Sequence, residues 1–105
     1  MTGSDPGKAP RAPAPGRASR RVTIVNQKGL HARAAAKFVR LAQGFSAAIT
    51  VSAKGQTVNG HSLMGLMLLA AGPGTPITIG AEGADADKAV EALARLVENR
   101  FEEES

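Results

Sequence analysis

Apolar and polar positions change rhythm several times along this chain. Val22, Ile24 and Asn26 alternate with Thr23 and Val25, a period of two that predicts a short strand running from Arg21 and ending at Lys28-Gly29. Residues 32–43 then place Ala35, Phe38, Val39 and Ala42 at the spacing of one helical face, with Gly44 where a C′ residue belongs. Ala47, Ile49 and Val51 alternate with Ala48, Thr50 and Ser52, and after Lys54-Gly55 the segment 56–59 returns as the second strand of a hairpin.

Ser62 precedes the apolar run 63–70, the pattern of an N-cap and its helix, and Gly72-Pro73-Gly74 stops that helix. Residues 76–79 read as a further strand. Residues 84–101 read as a long amphipathic helix carrying Ala86, Val90, Leu93, Val97 and Phe101 on one face. Asp85 and Asp87 near its start, and Arg95 and Arg100 towards its end, suit the helix dipole. The order is βαββαβα, with connections too short for a series of parallel crossovers. The expected fold is therefore α+β, an open-faced β-sandwich in which three helices cover one face of a four-stranded, mainly antiparallel sheet.

A length of 105 residues and an apolar content of 43% suit one domain with a modest core. Residues 1–20 depart from the rest: rich in Pro, Ala, Gly and Arg, they hold no Val, Ile, Leu or Phe and cannot offset the entropy of ordering. They are expected to form a disordered basic extension, leaving 21–105 as the folded domain. Lys8, Arg11, Arg17 and Arg20 against Asp5 give that extension +3 of the total +4, so the domain itself is nearly neutral. With no Tyr or Trp for base stacking, nucleic acid is not an expected partner.

The absence of cysteine excludes disulfides and thiolate chemistry, and two histidines are too few for a structural zinc site, so no metal is assigned. No Gly-rich nucleotide loop is present, and no cofactor is expected. The apolar run 63–71, interrupted by Gly65, falls well short of the roughly 20 residues that cross a bilayer. Without the apolar stretch of a secretory signal, the expected location is the cytoplasm.

The candidate chemistry lies in Gly29-Leu30-His31-Ala32-Arg33, a histidine at the junction of a strand-like segment and a helix. A helix N-terminus offers unpaired N–H groups and the positive end of its dipole, which would stabilise a phosphoryl group carried on His31. Neutral imidazole is nucleophilic near neutral pH, and Arg33 stays cationic and can pair with phosphate oxygens. On the second helix Leu63, Leu66, Leu69 and Ala70 can point inward while Met64, Met67 and Leu68 fall on other faces, more apolar surface than one core-facing stripe requires. His61 reads as an exposed turn residue.

The segment 28–36, Lys28-Gly29-Leu30-His31-Ala32-Arg33-Ala34-Ala35-Ala36, followed by Gly60-His61-Ser62-Leu63-Met64-Gly65-Leu66-Met67, resembles HPr, the histidine phosphocarrier family of the bacterial phosphotransferase system. The resemblance runs from about Val22 to about Val97. It implies a carrier, not an enzyme, whose His31 accepts phosphoryl on Nδ1 from phospho-enzyme I and passes it to a histidine of IIA-type acceptors, with Arg33 stabilising the phosphate. It also implies that Ser62 is a regulatory phosphorylation site for an HPr kinase/phosphorylase, and that Leu63, Met64, Met67 and Leu68 belong to a shared docking surface. The protein is expected to act as a monomer, in sugar uptake or in a regulatory branch such as nitrogen control.

The chain departs from the family pattern twice. Ala34 replaces the proline that usually follows the arginine; it preserves the helix, loosens its start and adds an N–H donor. Lys28 replaces a small polar residue, and its ammonium either strengthens phosphate binding or, the favoured reading, points to water. The alternative function is a regulatory binding protein of the same kind that docks in a phosphorylation-dependent way without onward transfer.

Overall fold

A computed structural model describes residues 16–104. The elements are β1 (Arg17–Thr23), α1 (Ala32–Ala42), β2 (Ala48–Ala53), β3 (Gln56–Asn59), α2 (Leu63–Leu68), β4 (Pro76–Glu82) and α3 (Ala86–Glu98), followed by a 3-10 turn over Arg100–Glu102. They form one sheet of order β1-β4-β2-β3 in which every neighbouring pair is antiparallel. The expected βαββαβα architecture is the one observed.

Alternation explains the layering. Val22, Ile49, Val51, Ile77 and Ile79 are buried on the sheet face covered by the helices, where they meet Phe38, Leu66, Leu93 and Val97. The intervening residues, such as Arg21, Thr23 and Thr50, are exposed on the bare face. Among the described residues no helix is long and apolar enough to cross a membrane.

The first strand starts earlier than its apolar pattern suggests. Residues 17–20, expected to be disordered, pair with β4 from Arg17↔Glu82 to Arg20↔Ile79. The seven-residue β4 supplies a full ladder of backbone partners, and ion pairs supply what apolar side chains do not. Arg17 Nε lies 3.1 Å from Glu82 Oε2. Arg20 bonds both carboxylate oxygens of Glu91 at 2.9 Å and reaches Glu98 at 3.1 Å. The domain therefore includes Arg17, and the rest of the expected extension, residues 1–15, lies outside the described residues. At its other end β1 stops at Thr23 rather than near Lys28-Gly29, although Ile24 still exchanges backbone hydrogen bonds with Thr75 and Gly74.

Two helices are shorter than their patterns. α2 ends at Leu68, before Gly72-Pro73-Gly74, because Ala70 turns to φ 50° and its N–H bonds Met67 O. Leu66 and Leu69 are buried as expected, but Leu63 and Ala70, expected to point inward, are exposed: a helix this short buries one contact row only. α3 runs from Ala86 to Glu98 rather than over 84–101, and the chain then reverses with positive φ at Arg100 (59°), Phe101 (53°) and Glu102 (65°). Phe101 still reaches the core, fully buried, from the turn instead of from the helix.

Candidate functional site

The approach to α1 is set by a tight loop. Gly29 has φ +65°, and a Cβ there would stand 2.5 Å from Ala71 O, so only glycine lets the loop press this closely on its neighbour. Leu30 N–H donates to Ala71 O at 2.8 Å, and Asn26 Nδ2 donates to Gly29 O at 2.8 Å. His31 follows in extended conformation as the residue before the first helical turn, with Ala35 N–H donating to its carbonyl at 2.8 Å.

His31 does not cap the helix it begins. Its side chain makes no bond to the first-turn N–H groups, and among the described residues no other side chain bonds them. The ring instead turns to the C-terminal segment, where Nε2 lies 2.6 Å from Glu103 Oε2. Among the described residues Nδ1 has no hydrogen-bond partner. Asn26, fully buried, donates to Glu103 Oε1 at 3.0 Å and fixes the carboxylate from the other side. The Asn26 amide orientation follows from its partners: flipped, it would aim its oxygen at two acceptors. In the orientation shown, Asn26 Oδ1 is buried without a partner among the described residues.

Burial tends to raise the Glu103 carboxyl pKa, but the hydrogen bonds from His31 and Asn26, with nearby positive charge, outweigh it and hold the group below its ordinary value. Lys28, Arg33, Lys37, Glu102, Glu103 and Glu104 line a cleft of about 280 Å³. Lys37 Nζ donates to Phe101 O at 2.8 Å and approaches Glu102 at 3.9 Å. The Arg33 and Lys28 side chains are exposed and, among the described residues, form no ion pair or hydrogen bond, so two cations stand ready for an anion. A larger depression of about 480 Å³, on the sheet's bare face around Ser19, Thr50 and Gly80, shares no residue with this cluster.

At the second predicted site Ser62 caps α2 as expected, its Oγ accepting from Gly65 N–H at 3.0 Å. No hydrogen bond links it to His31. Leu63, Met64, Met67 and Leu68 are all exposed, Met64 and Leu68 to about 70%. His61, expected to be exposed, is half-buried, with its ring Nε2 3.4 Å from Ala47 O. The hairpin places that carbonyl within reach of the turn.

A family model described as the phosphotransferase-system HPr component phosphorylation site matches residues 18–99. The chain belongs to the HPr family. It is 48% identical over 84 residues to the phosphocarrier protein HPr of Xylella fastidiosa, covering 80% of this chain and 94% of that protein. It is 44% identical over 86 residues to the phosphocarrier protein NPr of Shewanella violacea, covering 82% and 94%. The solved HPr of Thermoanaerobacter tengcongensis superposes with a TM-score of 0.80 at 41% identity, covering 84% of this chain and 99% of that one. The chain is thus a phosphocarrier of the phosphotransferase system, which works with other components of that system and is not itself an enzyme.

Glu103, Asn26 and Lys37 were not among the predicted site residues of this HPr-family chain. The available signals were a polar residue at a core-facing strand parity, Asn26, and the acidic run 102–104 just after the last apolar position, Phe101.

Proposed function

We propose that His31 Nδ1 is the phosphoryl-accepting atom, that phospho-enzyme I is the donor, and that a histidine of a IIA-type protein is the acceptor, all in the cytoplasm. The observation that carries this reading is one ring nitrogen, Nδ1, that has no partner among the described residues at an uncapped helix start, with the Arg33 and Lys28 side chains likewise unpaired among the described residues. In each transfer the N–P bond of the donor phosphohistidine breaks as an N–P bond to the receiving ring forms. The donor nitrogen keeps the electron pair, and no water enters. Open N–H groups, the helix dipole and Arg33 stabilise the dianionic group without a further bond to break on release.

Docking is assigned to Leu63, Met64, Met67 and Leu68, an exposed apolar patch on the helix packed against α1. Phosphorylation of Ser62 by an HPr kinase/phosphorylase would keep oxygen acceptors at the α2 cap while adding charge at the edge of that patch, and so weaken docking of acidic partners. The functional unit is a monomer.

The test is incubation with enzyme I and phosphoenolpyruvate, then with an acceptor protein, for wild type and His31→Ala. Wild type is expected to gain acid-labile phosphate and lose it to the acceptor, and His31→Ala to gain none. A wild-type protein that gains no such phosphate overturns the reading. One that gains it and cannot pass it on is a docking switch instead of a carrier.

A further inference from the structure

We propose that Glu103, held in place by Asn26, is a positioning residue that keeps the proton of the His31 ring on Nε2 and thereby presents Nδ1 with its lone pair free; the inference rests on the reading of His31 as the phosphoryl acceptor. A neutral imidazole carries one N–H and one bare nitrogen, and the hydrogen bond made by one decides the state of the other. An ionised carboxylate only accepts, so a Glu103 oxygen 2.6 Å from Nε2 requires the hydrogen to be there. Nδ1 is then the nucleophile. Asn26 Nδ2, spent on Gly29 O and Glu103 Oε1, ties the carboxylate to the same loop that carries His31.

The chain goes to some trouble to bring Glu103 to this point. Arg100, Phe101 and Glu102 all adopt the left-handed region, where an L side chain is crowded and where glycine or asparagine would be expected. Phe101, fully buried, anchors the reversal, Lys37 holds its carbonyl, and the N–H groups of Glu102 and Glu103 close the turn onto Asn99 and Arg100 carbonyls at 2.9 Å. Strain maintained by burial at a functional ring points to a use for the conformation. A helix continued past Glu98 would not make this reversal.

The same contact serves the transfer. As the Nδ1 lone pair forms the new N–P bond and the donor nitrogen retains its electrons, Nε2 keeps its hydrogen and the ring becomes cationic. Glu103 balances that charge at 2.6 Å, and it does so without taking the proton. On release the steps reverse. Lys28, Arg33 and Lys37 line the same cleft as Glu102, Glu103 and Glu104, so cations stand beside the carboxylate that faces the ring.

The experiment combines nitrogen-15 NMR of the His31 ring with the rate of phosphoryl acceptance from enzyme I, for wild type, Glu103→Ala and Glu103→Gln. Wild type is expected to show hydrogen on Nε2 and a bare Nδ1. Glu103→Ala should show a mixture of tautomers and slow acceptance on the order of tenfold, the effect of one charge-assisted hydrogen bond at a developing charge. Glu103→Gln, whose amide oxygen still accepts, should recover the tautomer and only part of the rate. A wild-type ring with hydrogen on Nδ1, or a tautomer indifferent to Glu103→Ala, overturns the role of Glu103 while His31 phosphorylation stands. A wild type with the expected tautomer that accepts no phosphoryl group overturns the carrier reading and with it this purpose for Glu103.

Discussion

The helices α1 and α2 begin in opposite ways. At α2 the Ser62 hydroxyl turns inward to its own helix and satisfies Gly65 N–H, so that end is closed by the residue that precedes it. At α1 the residue in the same place is His31, whose ring turns away to Glu103 and leaves the first-turn N–H groups without a side-chain cap among the described residues. The closed end contributes stability. The open end forgoes it, and under the proposed reading of His31 it keeps donors and a positive dipole free for a group that arrives and leaves.

The sharpest test of that contrast is Arg33→Ala. Arg33 is exposed and, among the described residues, unpaired, so its loss should leave thermal unfolding within about 0.5 kcal/mol of wild type. Phosphoryl acceptance should slow by roughly 10- to 100-fold, because a guanidinium at the developing phosphate charge is lost. Arg33→Lys should recover part of the rate, as a point charge without the planar fork. Stopped-flow or quench measurements with enzyme I decide it; an unchanged rate would show that the open N–H groups suffice.

What was legible in the sequence follows the same division. The α1 face over residues 32–43, the Lys54-Gly55 hairpin and the Ser62 cap all rest on local periodicity and turn chemistry, and α1, β2, β3 and the cap stand within a residue or two of their expected places. His31 and Arg33 were visible as a motif, and Ala34 keeps the helix, buried in its first turn. The C-terminal turn was not legible, because Arg100-Phe101-Glu102 contains neither Gly nor Asn and locally favours a continued helix; burial of Phe101 overrides that preference. Arg17 and Arg20 likewise joined a strand through Glu82, Glu91 and Glu98, partners 65 or more residues away that no window along the chain contains.

Ser62→Ala should have a smaller and purely structural effect. Losing the cap costs about 1 kcal/mol, or roughly 4–8 °C in melting temperature for a domain of this size, with phosphoryl acceptance at His31 little changed. Ser62→Asp retains a capping oxygen and should melt near wild type, yet bind acidic partners more weakly by its added charge. Calorimetry with a binding titration separates the two. A Ser62→Ala protein that melts like wild type would remove the contrast between the closed and the open helix start.

Acid should distinguish the two ends by the smallest effect. The Glu103 carboxyl titrates below its ordinary 4.5 because hydrogen bonds from His31 and Asn26, with nearby positive charge, prevail over its burial. A carboxyl whose pKa is lower folded than unfolded stabilises the fold fully above the unfolded value, and that contribution is lost as pH falls through the folded value. Asp85, held below its ordinary 3.8 chiefly by the Ser46 N–H, with Ala47 adding to it against a smaller cost of burial, acts in the same sense at the start of α3. Melting temperature should therefore fall on acidification from pH 5 towards pH 3, and Glu103→Gln should flatten part of that slope. Amide exchange would locate it: protection should drop in the Arg100–Glu102 turn and the Asn26 loop as Glu103 protonates. Gly65 N–H, bonded to a hydroxyl that does not titrate, should change only with global stability. Equal local loss at Gly65 would mean that Glu103 holds the whole helical layer and not the His31 end alone.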